Sequence, residues 1–362
     1  MKTRVLVFAV ALAVGLALPT PTRARAGAWR PPIWSSILRG GPWGLATDAR
    51  GAVVVSDAGF VRAIDRRGVQ LWETKVDGAT RSNPAISGEL VLVGATGRVV
   101  ALARRNGASR WQQPMNGQVR SVALAKRHAL AGGTDGTLRA FDASTGAPTW
   151  AVRYPGLLAS AAHVDLAASV VVASWHEPPA PAVRALDLGT GVLRWEQPVG
   201  LYTASPALYD GRAFIAQGDG RFRAMVAGYD LQTGASDWAL FVPASFQSGV
   251  LLGVDDRDLV VADQLGLVTA IDPVSGNARW TRALERSIFD TRVVLLRRRV
   301  VLTTLNGELF VLDRVSGRVV ARGDANDFDG LPRDTAPFRT GNRVLVSLRL
   351  TEPGRVELRR VP

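Results

Sequence analysis

The chain has 362 residues, 47% hydrophobic and 21% charged, with no cysteine and a formal net charge of +13. That composition is globular, with ample apolar material for a core. The lack of cysteine excludes disulfides, thiolate chemistry, cysteine-ligated zinc and a lipid-modified cysteine at the N-terminus.

Lys2 and Arg4 precede an unbroken apolar run from Val5 to Leu18, and Ala24-Arg25-Ala26 places small residues around a cut before Gly27. This is the layout of a secretory signal peptide. Residues 1–26 are therefore expected to be removed after Ala26, leaving 27–362 as a single domain, periplasmic or secreted, with no lipobox. The run is short for a bilayer span; a retained anchor is the alternative. No later stretch is long and apolar enough to span, so no transmembrane segment is expected in the mature chain. Lys2, Arg4, Arg23 and Arg25 carry four of the positive charges. The remaining cations are scattered singly, except for Arg297-Arg298-Arg299 in an expected tight turn. No basic stripe with interleaved aromatics is present, so no nucleic-acid partner is expected.

Downstream, one phrase recurs: Ala, apolar, Asp, two residues, Thr or Ser, Gly, three residues, Trp. It is clearest in four copies. These carry Asp142, Gly146 and Trp150; Asp187, Gly191 and Trp195; Asp230, Gly234 and Trp238; and Asp272, Gly276 and Trp280. Weaker copies hold Asp65 with Trp72, Trp111 with Ala103 in the Asp place, and Asp313 with Gly317 and Ala321 in the Trp place. Successive copies lie 39–45 residues apart. A glycine stands six residues before the Asp position in most of them: Gly59, Gly97, Gly136, Gly266 and Gly307. Between these markers the residues alternate apolar and polar, so each unit reads as four short strands. Four strands per unit of this length is the propeller pattern.

The phrase has a physical logic. Asp accepts from backbone N–H groups two residues on, and Gly supplies the positive φ that closes the turn. Trp opens the fourth strand, where a large ring fills the wedge between splayed sheets. These residues are read as structural. Trp34 looks like the fourth strand of a unit whose earlier strands come from 342–348 and 354–358. The expectation is an all-β, eight-bladed propeller of four-stranded antiparallel blades, its ring closed by N- and C-terminal strands, with seven blades as the alternative.

The Asp-x-x-Thr-Gly-x-x-x-Trp phrase in four-stranded units resembles the PQQ-like propeller repeat over nearly the whole mature chain. In size and layout the chain is similar to the BamB-type outer-membrane assembly scaffolds, though without their lipobox cysteine. That resemblance implies a non-enzymatic envelope scaffold, a monomer whose partners are envelope proteins such as the barrel-assembly machinery. The superfamily also includes quinoprotein dehydrogenases, whose quinone sits over a Trp, under a vicinal disulfide and beside calcium. A PQQ- and calcium-binding oxidoreductase is thus the second reading, and a carbohydrate- or surface-binding propeller the third. No catalytic, cofactor or metal residues are assigned. Asp324 to Gly330 fails the calcium-loop spacing at Phe328, and Asp255-Asp256-Arg257-Asp258 reads as a solvated turn. The Asp turns share one face. The varied opposite face carries the candidate partner contacts Trp43, Arg81, Arg120, Trp175, His176, Tyr202, Phe246 and Phe289, since aromatics and Arg anchor interfaces.

Overall fold

A computed structural model describes residues 33–158, 162–176, 181–200, 202–218, 223–243, 251–286, 288, 293–304, 308–323, 333–340, 343–349 and 354–359. All the pairing between its described strands is antiparallel. The first strand, β1 (Trp34–Leu38), belongs to the last sheet. The next sheet holds β2 (Pro42–Asp48), β3 (Gly51–Ser56), β4 (Phe60–Asp65) and β5 (Gln70–Lys75). Then follow β6 (Ala85–Ser87), β7 (Leu90–Ala103), β8 (Ser109–Ala125), β9 (His128–Gly133), β10 (Thr137–Asp142) and β11 (Pro148–Arg153). A third set is β12 (Leu157–Leu158), β13 (His163–Asp165), β14 (Val170–His176), β15 (Ala182–Asp187) and β16 (Leu193–Pro198). A fourth is β17 (Tyr202–Thr203), β18 (Ala207–Tyr209), β19 (Arg212–Gly218), β20 (Arg223–Asp230) and β21 (Ser236–Pro243). Two four-stranded sheets complete the series. One holds β22 (Leu251–Val254), β23 (Leu259–Ala262), β24 (Leu267–Ile271) and β25 (Ala278–Ala283). The other holds β26 (Val294–Leu295), β27 (Arg299–Thr303), β28 (Leu309–Asp313) and β29 (Val319–Gly323). Finally β30 (Arg333–Thr340), β31 (Arg343–Arg349) and β32 (Gly354–Arg359) take β1 as their outer strand, with Trp34 opposite Leu358 and Leu38 opposite Gly354.

The expectation of an eight-bladed propeller is corrected, as is its seven-bladed alternative. Among the described residues, six blades stand as separate sheets of four or five strands, and the rest is one continuous six-stranded sheet, β11-β10-β9-β8-β7-β6. The cause is β8, which runs 17 residues without a break. Its first part pairs with β7 (Arg98↔Pro114 to Leu102↔Ser109) and its second with β9 (Val119↔Gly133 to Ala125↔His128). Met115 is buried where the two parts meet, and Gly117 takes φ +68° there without ending the strand.

The repeat phrase builds the contacts between sheets. Asp142 Oδ1 accepts from the backbone N–H of Ser144 and Thr145 at 3.0 and 2.9 Å, and Gly146 has φ +77°. Each Trp indole N–H then reaches the following unit and donates to the carbonyl just after its Asp position. The bonds are Trp72 to Arg104, Trp111 to Ala143, Trp150 to Leu188, Trp195 to Leu231 and Trp280 to Arg314, each 2.9 Å, and Trp238 to Pro273 at 3.2 Å. Trp34 repeats the bond to Arg66. The ring lies flat on the turn glycine of that next unit. A Cβ on Gly146 would meet the Trp111 ring at 2.7 Å, and one on Gly276 would meet Trp238 at 2.5 Å. Gly191, Gly234 and Gly317 sit likewise against Trp150, Trp195 and Trp280. The glycine is thus required twice, by its own φ and by the neighbour's ring.

Two buried arginines add a second tie at the same turns. Arg104 has a fully buried side chain and grips Asp48 of the preceding unit at 2.9 and 3.0 Å. Arg314 does the same with Asp258 and Asp255, again one unit back. Asp258 is 2% exposed, so the Asp255–Asp258 turn is not simply a solvated loop. It is the acceptor for an arginine that packing has removed from water.

Candidate functional site

The face opposite the Asp turns is formed where each outer strand hands over to the next inner strand, beside the loops between second and third strands. These segments are stitched by backbone bonds such as Asp57 N–H to Gly41 O, Thr134 N–H to Gln118 O and Tyr154 N–H to Gly136 O. The inner strands are irregular there. In β2 the register shifts between Pro42 and Gly44, so Trp43 is the extra residue of a bulge. In β8 it shifts between Val119 and Ser121, so Arg120 is extra. Between the Ala79↔Ala95 bridge and the Ala85↔Leu92 pair, the segment Thr80–Pro84 lies opposite only Val93 and Gly94, and Arg81 stands in that excess. A bulge bends its strand and turns a side chain out of the ladder. Three of the expected contact residues therefore occupy the same kind of position in three successive units.

Contacts between units bring these positions side by side. Asn83 Oδ1 accepts from Leu45 N–H at 3.1 Å, and a Cβ on Gly44 would meet the Ser82 carbonyl at 2.3 Å. The Thr80 hydroxyl donates to the Val119 carbonyl at 2.5 Å. Buried Thr80, Ser82 and Ser121 form a small polar layer beneath, and Trp43 is half-buried while Arg81 and Arg120 are exposed. Asn83 and Thr80 were missed by sequence reasoning. Their only signal was a pair of small polar residues flanking Arg81.

Other expected contacts divide differently. Trp175 is a correction: it is completely buried rather than displayed, because β14 runs on through it and pairs it with Ala182. Its indole N–H donates to Gly136 O at 2.8 Å, Tyr154 meets it edge-on at 5.0 Å, and the Arg184 guanidinium lies 5.3 Å from its ring. Burial pushes the Tyr154 phenol above its usual range, against the nearby Arg184 charge. His176 ends β14 opposite Leu157, and Tyr202 begins β17 opposite Gly218. Phe246, Phe289 and the Asp324–Gly330 segment lie outside the described residues. The chain has no cysteine for the vicinal disulfide of the dehydrogenases, and among the described residues no three acidic or histidine side chains gather where a metal could sit.

Asp-turn units latched by tryptophan define a propeller of PQQ-like repeats. A family model described as outer membrane protein assembly factor BamB matches residues 26–239 and 223–348. The outer membrane protein assembly factor BamB of Burkholderia pseudomallei (strain K96243) is 30% identical over 341 residues, covering 91% of this chain and 75% of that protein. The chain belongs to the BamB family. Among solved structures, BamB from Moraxella catarrhalis is similar at a TM-score of 0.74 and 19% identity, over 91% of this chain and 97% of that one. The quinohemoprotein alcohol dehydrogenase from Comamonas testosteroni shares the fold at 0.69 and 14% identity, over 91% and 76%.

Proposed function

We propose that this chain is a non-enzymatic scaffold of outer-membrane protein assembly, working in the periplasm after cleavage behind Ala26. The observation that carries the reading is the side-by-side placement of Trp43, Arg81 and Arg120 on bulged inner strands, in a chain of the BamB family. An aromatic and two guanidinium groups at the mouth of a rigid ring are anchors of the kind that carry most of an interface's energy. The partner is a component of the barrel-assembly machinery, and no cofactor takes part. Captured on a surface, the mature protein is expected to bind that component, and the W43A/R81A/R120A variant to bind at least about tenfold more weakly. Equal binding by the variant overturns the placement of the site. Saturable tryptophan quenching by PQQ with calcium, followed by dye reduction with alcohols, overturns the scaffold reading itself.

A further inference from the structure

The Asp-turn face has chemistry of its own. Its hairpins and turns are tied into one rigid surface, since Ala143 N–H bonds Arg127 O and Arg104 N–H bonds Glu89 O. Arg50 pairs with Glu89, and Arg104 with Asp48, so the turns of neighbouring units cannot splay. Cations are unevenly spread over this surface. Arg66, Arg67, Arg105, Lys126 and Arg127 follow one another along the arc from β4 to β9, all exposed, with no carboxylate at ion-pair distance among the described residues. In the next two units the balance reverses. Asp165, Asp187, Asp210, Asp230 and Asp237 gather there, and the local cations Arg194 and Arg212 are already paired with Asp187 and Asp237.

Apolar tips stand among the arc's cations. Val69 and Leu71 are 57% and 51% exposed on the turn that carries Arg66 and Arg67. The chain also enters the fold at this spot. Trp34 opens β1 with its indole N–H on Arg66 O and its ring under Gly68, and exposed Ile33 precedes it. Whatever part of the first 32 residues the working protein keeps, including Arg30, therefore leaves from the middle of the basic arc.

We infer that this arc is a docking surface for an anionic phospholipid bilayer, so that the propeller rests on a membrane by its Asp turns and presents the bulged face away from it. Basic side chains are drawn to an anionic leaflet, and small aliphatic tips enter the headgroup boundary without a spanning segment. A polynucleotide is the less suited occupant. The exposed apolar groups in the arc are aliphatic and offer no ring for bases to stack on. The acidic units that follow β11 are repelled by such a leaflet, which limits the contact to the arc.

The test is co-sedimentation of the protein with vesicles of phosphatidylethanolamine, with and without phosphatidylglycerol, at low and high salt. Binding is expected to need phosphatidylglycerol, to fall with salt, and to drop at least about tenfold in R66E/R67E/K126E/R127E. The opposite-face variant R81E/R120E is expected to keep vesicle binding, which separates this proposal from the partner site. All four arc residues are exposed, so an unchanged thermal midpoint certifies the fold of the variant. Equal binding to both vesicle types, an unaffected arc variant, or tighter arc-dependent binding to a single-stranded oligonucleotide each overturns the inference.

Discussion

Removing either partner of the Arg104–Asp48 pair should have very unequal cost. The Arg104 side chain is 0% exposed, whereas Asp48 keeps 22%. Asp48 also accepts from the backbone N–H of Arg50 at 2.8 Å and Gly51 at 3.0 Å. Burial opposes its ionisation, but the Arg104 bond and those N–H groups hold its carboxyl below the usual range. In D48N a guanidinium stays buried beside a neutral amide, with its Nη1 already lacking a hydrogen-bond partner. The expected loss is about 3–4 kcal/mol. In R104M the carboxylate keeps two N–H donors and a path to water, and the methionine fills the volume, so the loss is about 1–2 kcal/mol. The double variant should lie near R104M, leaving a coupling of about 3–4 kcal/mol, the whole cost of D48N. Urea unfolding followed by tryptophan fluorescence and by circular dichroism measures all three, provided the two signals coincide. If R104M proves as costly as D48N, burial of the cation is not what sets the energetics of the tie.

The doubly constrained glycine gives a sharper contrast. G276A forces φ near +73° on a residue with a Cβ and drives that carbon to 2.5 Å from Trp238. It should cost about 2–4 kcal/mol. G88A, at φ +57° with nothing within 4 Å, should cost only the roughly 1 kcal/mol of the backbone conformation. Similar losses in urea midpoint for both would remove the packing role of the turn glycine. The turn carboxylates set an acid limit. Hydroxyl and backbone bonds from Ser144 and Thr145 hold Asp142 down to about 2, the Arg194 bond does so for Asp187, and Ser275 N–H with Arg279 for Asp272. Depressed carboxylates stabilise the fold above their unfolded pKa and lose that effect as pH falls through the folded one. The thermal midpoint is therefore expected to fall between about pH 4 and pH 2, and flat behaviour across that window would contradict the bonding described.

The repeat was legible because its chemistry is local. Asp142 to Gly146 spell a turn within five residues, and Trp150 begins a strand whichever neighbour it meets. What the ring stands on was not local. The carbonyl that receives the Trp111 indole is Ala143, 32 residues on, and the carboxylate that Arg104 grips is Asp48, 56 residues earlier. β8 absorbs Pro114 and Gly117, residue types that ordinarily interrupt strands, so the joined sheet could not be foreseen from turn signals. Trp175 was expected among the partner contacts of the varied face, while the burial that claims it comes from Tyr154 and Gly136 in the preceding unit. On the candidate site, the residue types Trp43, Arg81 and Arg120 were visible. Their shared bulges were not, since a bulge is a mismatch with a partner strand and has no spelling of its own.

The seam between β1 and β32 also sets the order of events in making the protein. Residue 34 cannot find its partner until residue 358 has been synthesised, so the earliest strand waits through nearly the whole chain with its edge uncovered. Contacts of such sequence separation form slowly, and open edges attract other chains meanwhile. Loss of the last few residues would therefore unclasp a ring rather than trim an end, turning a closed disk into an open arc with two edges to satisfy.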